Sequence, residues 1–169
     1  METFDLLVTV PLQQLSNLEA WIAKTLQFAA DRKFDANVLL SARLFPDQFP
    51  LVRQIQSACD SAKGNAGRLA GKELPSHPDD EATFEALVAR IQKVREYLQT
   101  FQRADFADSA TRKISLGWMQ GKHVLGADYL SEFAVPNFHF HLVTSYSILR
   151  HNGVPLGKFD YIGKLTMRD

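Results

Sequence analysis

Apolar residues recur at three- and four-residue steps in four long stretches of this chain, and alternate with polar ones in a short fifth. Between Pro11 and Arg32, Leu15, Leu18, Ile22, Leu26 and Ala29 form one stripe, the spacing of an amphipathic helix. Pro11 suits its first turn, where a missing N–H costs nothing. The segment "ANVLLSARL" has room for a short helix, which must stop before Pro46 because Phe45 precedes a proline. A second long helix follows, with Asp47 as N-cap and Pro50 in the first turn. Leu51, Ile55, Ala58, Ala62, Ala66 and Leu69 line its apolar face, and Gly71 ends it. The three alanines let a neighbouring helix come close. The loop "LPSHPDD" leads into a third helix, capped by Asp79 or Asp80 with Glu81 in its first turn. Phe84, Leu87, Ile91, Val94, Leu98 and Phe101 mark its buried side.

The period then changes. Ile114, Leu116 and Trp118 alternate with Lys113, Ser115 and Gly117, which is strand spacing. Gly121 offers a turn and "HVLGADYL" a return strand. The last long helix starts at Pro136 and Asn137 and ends at Gly153, with Pro155 just beyond. The tail "LGKFDYIGKLTMRD" reads as a packed turn or short helix and a frayed end. With no internal repeat or linker, the pattern predicts one all-α domain over residues 1–169: four long helices with a short β-hairpin inserted before the last.

Charge narrows the function classes. Nineteen basic residues balance nineteen acidic ones, so the excess of Lys and Arg that phosphate backbones require is missing and nucleic acid is not expected as a partner. No stretch approaches the roughly 20 apolar residues of a membrane helix. The start "METFDLLVTV" carries an acid where a signal peptide needs a basic region. One cysteine, Cys59, permits no intrachain disulfide. The expectation is a cytoplasmic protein that binds neither membrane nor nucleic acid, with Cys59 a buried, inert thiol.

Candidate chemistry concentrates in "VPNFHFHLVTSYSILRHNG". On a helix, residues two apart point about 200° from each other, so His139 and His141 do not chelate one metal; on a strand they would share a face. His141 lies four residues after Asn137, the spacing at which a helix presents two groups to one ligand. Asparagine is a weak ligand for zinc-like ions, and Asn137 is also a good N-cap. A structural, hydrogen-bonded His141 is therefore the leading reading of the residues alone. Tyr146 and Arg150, four apart, are candidates for one pocket wall. His151 sits in the last turn, where positive charge meets the helix dipole. Gln54 and Gln56 fall two apart on the second helix, so at most one faces the bundle centre. No phosphate-binding loop, dinucleotide fingerprint, nucleophile elbow or HExxH motif is present.

The pieces "ARLFPDQFPLVRQIQSACDSAK", "EATFEALVARIQ", "YLSEFAVPNFHFH" and "ILRHNGVPLGKFDYIG" occur in this order. Together they resemble an uncharacterised bacterial and fungal family known only as a domain of unknown function, within the DinB/YfiT-like superfamily of metalloenzymes. The resemblance covers nearly the whole chain. It implies a DinB/YfiT-like four-helix bundle, often a homodimer, whose better-known relatives hold a metal with one histidine from the second helix and an HxxxH pair on the last. Some of those relatives act as metal-dependent transferases or isomerases linked to thiol cofactors. Carried over by position, the second histidine of the pair falls on His141 and the first on Asn137. The second helix has no histidine; Gln56 lies close to that ligand's place, with Gln54 the other choice. One strong ligand of three remains, so a divalent metal such as zinc or nickel is expected to bind weakly or not at all.

Two functions follow. One is an enzyme or binder for an unknown small molecule, built on a degenerate central metal site. His141 would be its ligand or general base, with Asn137 and Gln56 orienting substrate or water; as an enzyme it would be a metal-dependent transferase or hydrolase. The alternative is a non-catalytic helical-bundle dimer acting in interaction or ligand sensing. They differ in whether His141, Asn137 and Gln56 converge on an open pocket or are sealed by Phe138 and Phe140.

Overall fold

A computed structural model describes residues 2–168. Four long helices carry the fold: α1 (Val10–Asp31), α2 (Leu51–Ala70), α3 (Phe84–Gln99) and, after a one-turn α4 (Gly126–Asp128), α5 (Val135–His151). A last short helix, α6, spans Lys158–Ile162. Strands β1 (Lys113–Ile114) and β2 (Val124–Leu125) pair antiparallel just before α4. The protein is a helical bundle with a short hairpin, and the hairpin is shorter than the alternation suggested. Gly117–Met119 turns into a 3-10 segment and the return strand becomes helical at Gly126. There the backbone passes so close to the Ser109 carbonyl that a Cβ on Gly126 would collide with it.

Side-chain pairings between helices give their directions. Asn65, Ser61 and Gln54 of α2 meet Ala134, Asn137 and His141 in that order, so α2 and α5 run antiparallel. Asp60 meets Arg90, and Gly67 meets Tyr97, so α2 and α3 run parallel. Trp21 packs on Tyr146 and Phe28 on Gly153, so α1 and α5 run parallel. The loop 71–83 therefore travels back along the bundle to bring α3 in beside the start of α2. Leu15, Leu18, Trp21, Leu51, Ile55, Leu87, Ile91 and Leu142 fill the interior. Three alanines, Ala58, Ala62 and Ala66, are fully covered on α2, which packs against both α3 and α5.

Both prolines read as helix starts lie inside longer helices. A π-helical turn, Asp5–Thr9, runs into α1 just before Pro11, and another, Tyr129–Ala134, runs into α5 just before Pro136. A proline ring clashes with the carbonyl four residues back and offers it no N–H. Widening the preceding turn relieves both problems, which is why the helices begin well upstream. Two caps also differ from expectation. Pro50 occupies the N-cap position of α2 in place of Asp47, and Thr83 caps α3 through its hydroxyl in place of Asp79 or Asp80. Gly71 ends α2 at φ +69°, the left-handed conformation a C-cap favours. No helix among the described residues is long and apolar enough to cross a membrane.

Candidate functional site

Arg53, Ser57, Ser61 and Asn65 follow one another at four-residue steps along α2, and Arg68 continues the line. On the antiparallel α5 side, Phe133, Asn137 and His141 keep the same step. The two rows face each other across a cleft of about 600 Å³ that opens to solvent, with Leu116, Gly117 and Trp118 of the hairpin as its third wall. The hairpin thus places apolar surface beside an otherwise polar groove. Trp118 stays 65% exposed and leans on Phe133 with ring centres 5.9 Å apart.

Hydrogen bonds fix the floor. The Tyr129 hydroxyl donates to Asn65 Oδ1 at 2.7 Å, and Asn65 Nδ2 donates to the Ala134 carbonyl at 3.0 Å. Asn137 Nδ2 donates to Ser61 Oγ at 2.7 Å. His141 Nδ1 lies 2.8 Å from Gln54 Oε1, while Gln54 Nε2 donates to the Phe49 carbonyl at 3.3 Å. The Phe49 contact sets which way the Gln54 amide points, so its oxygen accepts the Nδ1 proton and Nε2 keeps the lone pair. Burial, with the nearby Arg53 charge, pulls the His141 pKa below its ordinary value, so the ring is neutral at pH 7.

Behind the cleft lies an ionic network that the sequence pattern did not reveal. Arg90, 3% exposed, pairs with Asp60 at 2.8 Å, Asp79 at 2.9 Å and Glu81 at 3.0 Å. Burial works against the guanidinium charge, but Glu81 and Asp60 outweigh it and hold Arg90 protonated. Lys63 also reaches Asp60, at 3.1 Å, and Arg53 pairs with Asp79. Burial likewise opposes ionisation of Asp79, yet Arg53 and Arg90 keep its pKa lowered. These contacts bind the returning loop 71–83 to α2 and α3.

The predicted site residues separate. His141 and Asn137 share the cleft. Gln56 does not join them: its amide donates to Glu81 at 2.8 Å, on the ionic side of α2. Gln54, the other choice, is the glutamine bonded to His141. Tyr146 packs in an aromatic cluster with Trp21 and Tyr161, 5.7 and 6.0 Å away, and Arg150 is exposed at the end of α5; neither lines the cleft. Asn137 is no N-cap, because the helix has already run through the turn before it. His139 points away from His141 as its spacing requires. It meets the Tyr161 hydroxyl at 3.1 Å and a crevice of about 20 Å³, room for one water. Cys59 is fully buried, and burial pushes its thiol up to about 12.

Arg53, Ser57, Ser61, Asn65 and Arg68 escaped sequence reasoning. Their three- and four-residue steps were a signal, but a polar stripe beside an apolar one ordinarily faces water. The donors present do not fit a zinc-type site. His141 is the one imidazole, the one carboxylate on the wall, Asp60, is already held by Lys63 and Arg90, Asn137 is engaged with Ser61, and the rest of α2 offers serine hydroxyls. Among the described residues no three His, Cys, Asp or Glu side chains gather as a metal-binding group.

Comparison with known proteins agrees with this architecture. Residues 3–162 match the family model DUF1993, described as a domain of unknown function. The chain is also similar to a DinB family member protein from Shewanella denitrificans known from its crystal structure. The two are 45% identical, with a TM-score of 0.95 over 98% of this chain and 94% of that one. No curated protein matches the chain. The match spans nearly the whole sequence, and the chain belongs to the DUF1993 family.

Proposed function

We propose that this DUF1993 protein holds a small molecule in the α2–α5 cleft and that His141 acts on it as a general base. The observation that carries the reading is the 2.8 Å contact from His141 Nδ1 to Gln54 Oε1. A ring whose Nδ1–H is tied to an oriented acceptor keeps its Nε2 lone pair for a proton or a ligand. The lowered pKa keeps that lone pair free at neutral pH. Asn137 and Ser61 supply a donor and an acceptor beside it, suited to orienting a carbonyl or a water. The cleft's size falls in the range of small-molecule sites. No step is routed through a metal, because the donor set does not fit one.

A thermal-shift screen of small metabolites tests this. A true ligand at a hundred times its Kd raises Tm by roughly 5–10 °C in a protein of this size, and the shift disappears in Asn137→Ala and His141→Ala. Shifts that survive both substitutions would place binding elsewhere. Near-stoichiometric zinc or nickel retained through dialysis and lost in His141→Ala would overturn the metal-free form of the reading.

A second reading rests on the outer face of α5, where Phe140 and Val143, three residues apart, are 54% and 46% exposed. Apolar side chains at that spacing suit contact with another helix surface, which supports a dimer acting through interaction. Cytoplasmic residence belongs with either reading.

A further inference from the structure

The charges around the cleft do not cancel, and the imbalance sits on one residue. Arg53, Lys63 and Arg90 are matched by Asp60, Asp79 and Glu81 in the ionic network. His141 is neutral at pH 7. Arg68 alone borders the cleft with no carboxylate partner among the described residues. The one acid on the wall, Asp60, is already held between two cations.

Arg68 is also seated. Its guanidinium folds over Gly64, one turn back on α2, where a Cβ would overlap Nη1. Gly64 is buried in the middle of a 20-residue helix, a position where glycine is less favourable than alanine. The missing side chain makes the space in which the guanidinium lies. At the same end of the cleft, Trp118 presents a largely exposed ring face beside Phe133. A seated guanidinium that touches the Tyr129 hydroxyl but has no carboxylate partner, next to exposed aromatic surface, is suited to an oxyanion attached to a flat apolar group.

We infer that the ligand of this cleft is an anionic small molecule, a carboxylate or phosphate ester with a flat apolar body. Arg68 receives the oxyanion, Trp118 and Phe133 cover the body, and the remainder lies toward Asn137 and His141. This rests on the cleft being the binding site, as proposed above.

Benzoate and phenyl phosphate, with benzamide and benzyl alcohol as neutral counterparts, test it by NMR titration of the full chain. The expected result is movement of the Trp118 and His141 side-chain signals, with at least one anion binding tenfold or more tighter than the neutral probes. The stronger anion identifies the headgroup as carboxylate or phosphate. Arg68→Gln should remove the preference, and Lys164→Gln on the exposed tail should leave it. Gly64→Ala should weaken the anion several-fold while Tm stays level or rises, a result that loss of folding cannot imitate. Equal binding of anions and neutral probes, or a preference that survives both Arg68→Gln and Gly64→Ala, overturns the anion assignment and leaves the cleft as a binding site. Signals at Trp118 and His141 that no probe moves overturn both.

Discussion

At the residue scale, the decisive contact is Gln54 to His141. Gln54 is 1% exposed and bridges the Phe49 carbonyl to the imidazole. Gln54→Leu leaves the Nδ1–H without its acceptor in a half-buried place, and should cost about 1 kcal/mol in chemical denaturation. It should also let the ring sample the other tautomer. Sequence spacing correctly set Asn137 and His141 on one face of α5 and turned His139 away. It did not decide between Gln54 and Gln56. Residues two apart are about 200° from each other on a helix, so one must face the centre, but the helix's rotation about its own axis is set by packing against both neighbours. Cys59 was readable as inert because it stands in a run of small buried residues, and its fully covered thiol agrees.

At the element scale, α2 is the centre of the molecule, in contact with α3 on one side and α5 on the other. The presence and order of the four long helices and the hairpin were legible from period, but the helix starts and the hairpin's length were not. The polar residues of α2 were not, because a stripe of Arg, Ser and Asn at four-residue steps has the same pattern whether it faces water or a groove. The Arg90 network was hidden for a related reason: its acids lie on a loop, and no period links a loop to the helix it packs against. Arg90→Ala would leave Glu81, whose side chain is 9% exposed, without its cation. The half-exposed Asp60 and Asp79 would lose less, since water screens them. The expected destabilisation is about 3 kcal/mol, read from urea denaturation. A loss below about 1 kcal/mol would mean the network does not hold the loop to α2. The π turns before Pro11 and Pro136 teach a general point: a proline marks where a helix is strained as readily as where it starts.

At the scale of the whole molecule, pH dependence follows from three half-buried histidines. Burial lowers the pKa of His77, His139 and His141, with Lys63 and Arg90 adding at His77 and Arg53 at His141. Each binds its proton more readily unfolded than folded, so stability is full above the unfolded value of about 6.5 and declines as pH falls below it. The loss levels off beneath the folded values. Asp79 and Asp160 are lowered, so they contribute stability above about 3.9 that disappears as pH falls further. Melting curves from pH 8 to 3 should show two separate declines; a Tm flat between 7 and 5 would contradict the histidine assignment. Light scattering across a hundredfold concentration range tests the interaction reading: a dimer weakened by Phe140→Ser supports it, and a monomer throughout removes it. What matters most for the proposed function is the protonation of His141. Long-range 15N NMR, assigned with His141→Ala, reads it directly. The predicted result at pH 7 is a neutral ring with Nδ1 protonated and Nε2 bare, titrating below 6.5; a ring protonated on Nε2, or charged at pH 7, would contradict a base at this site.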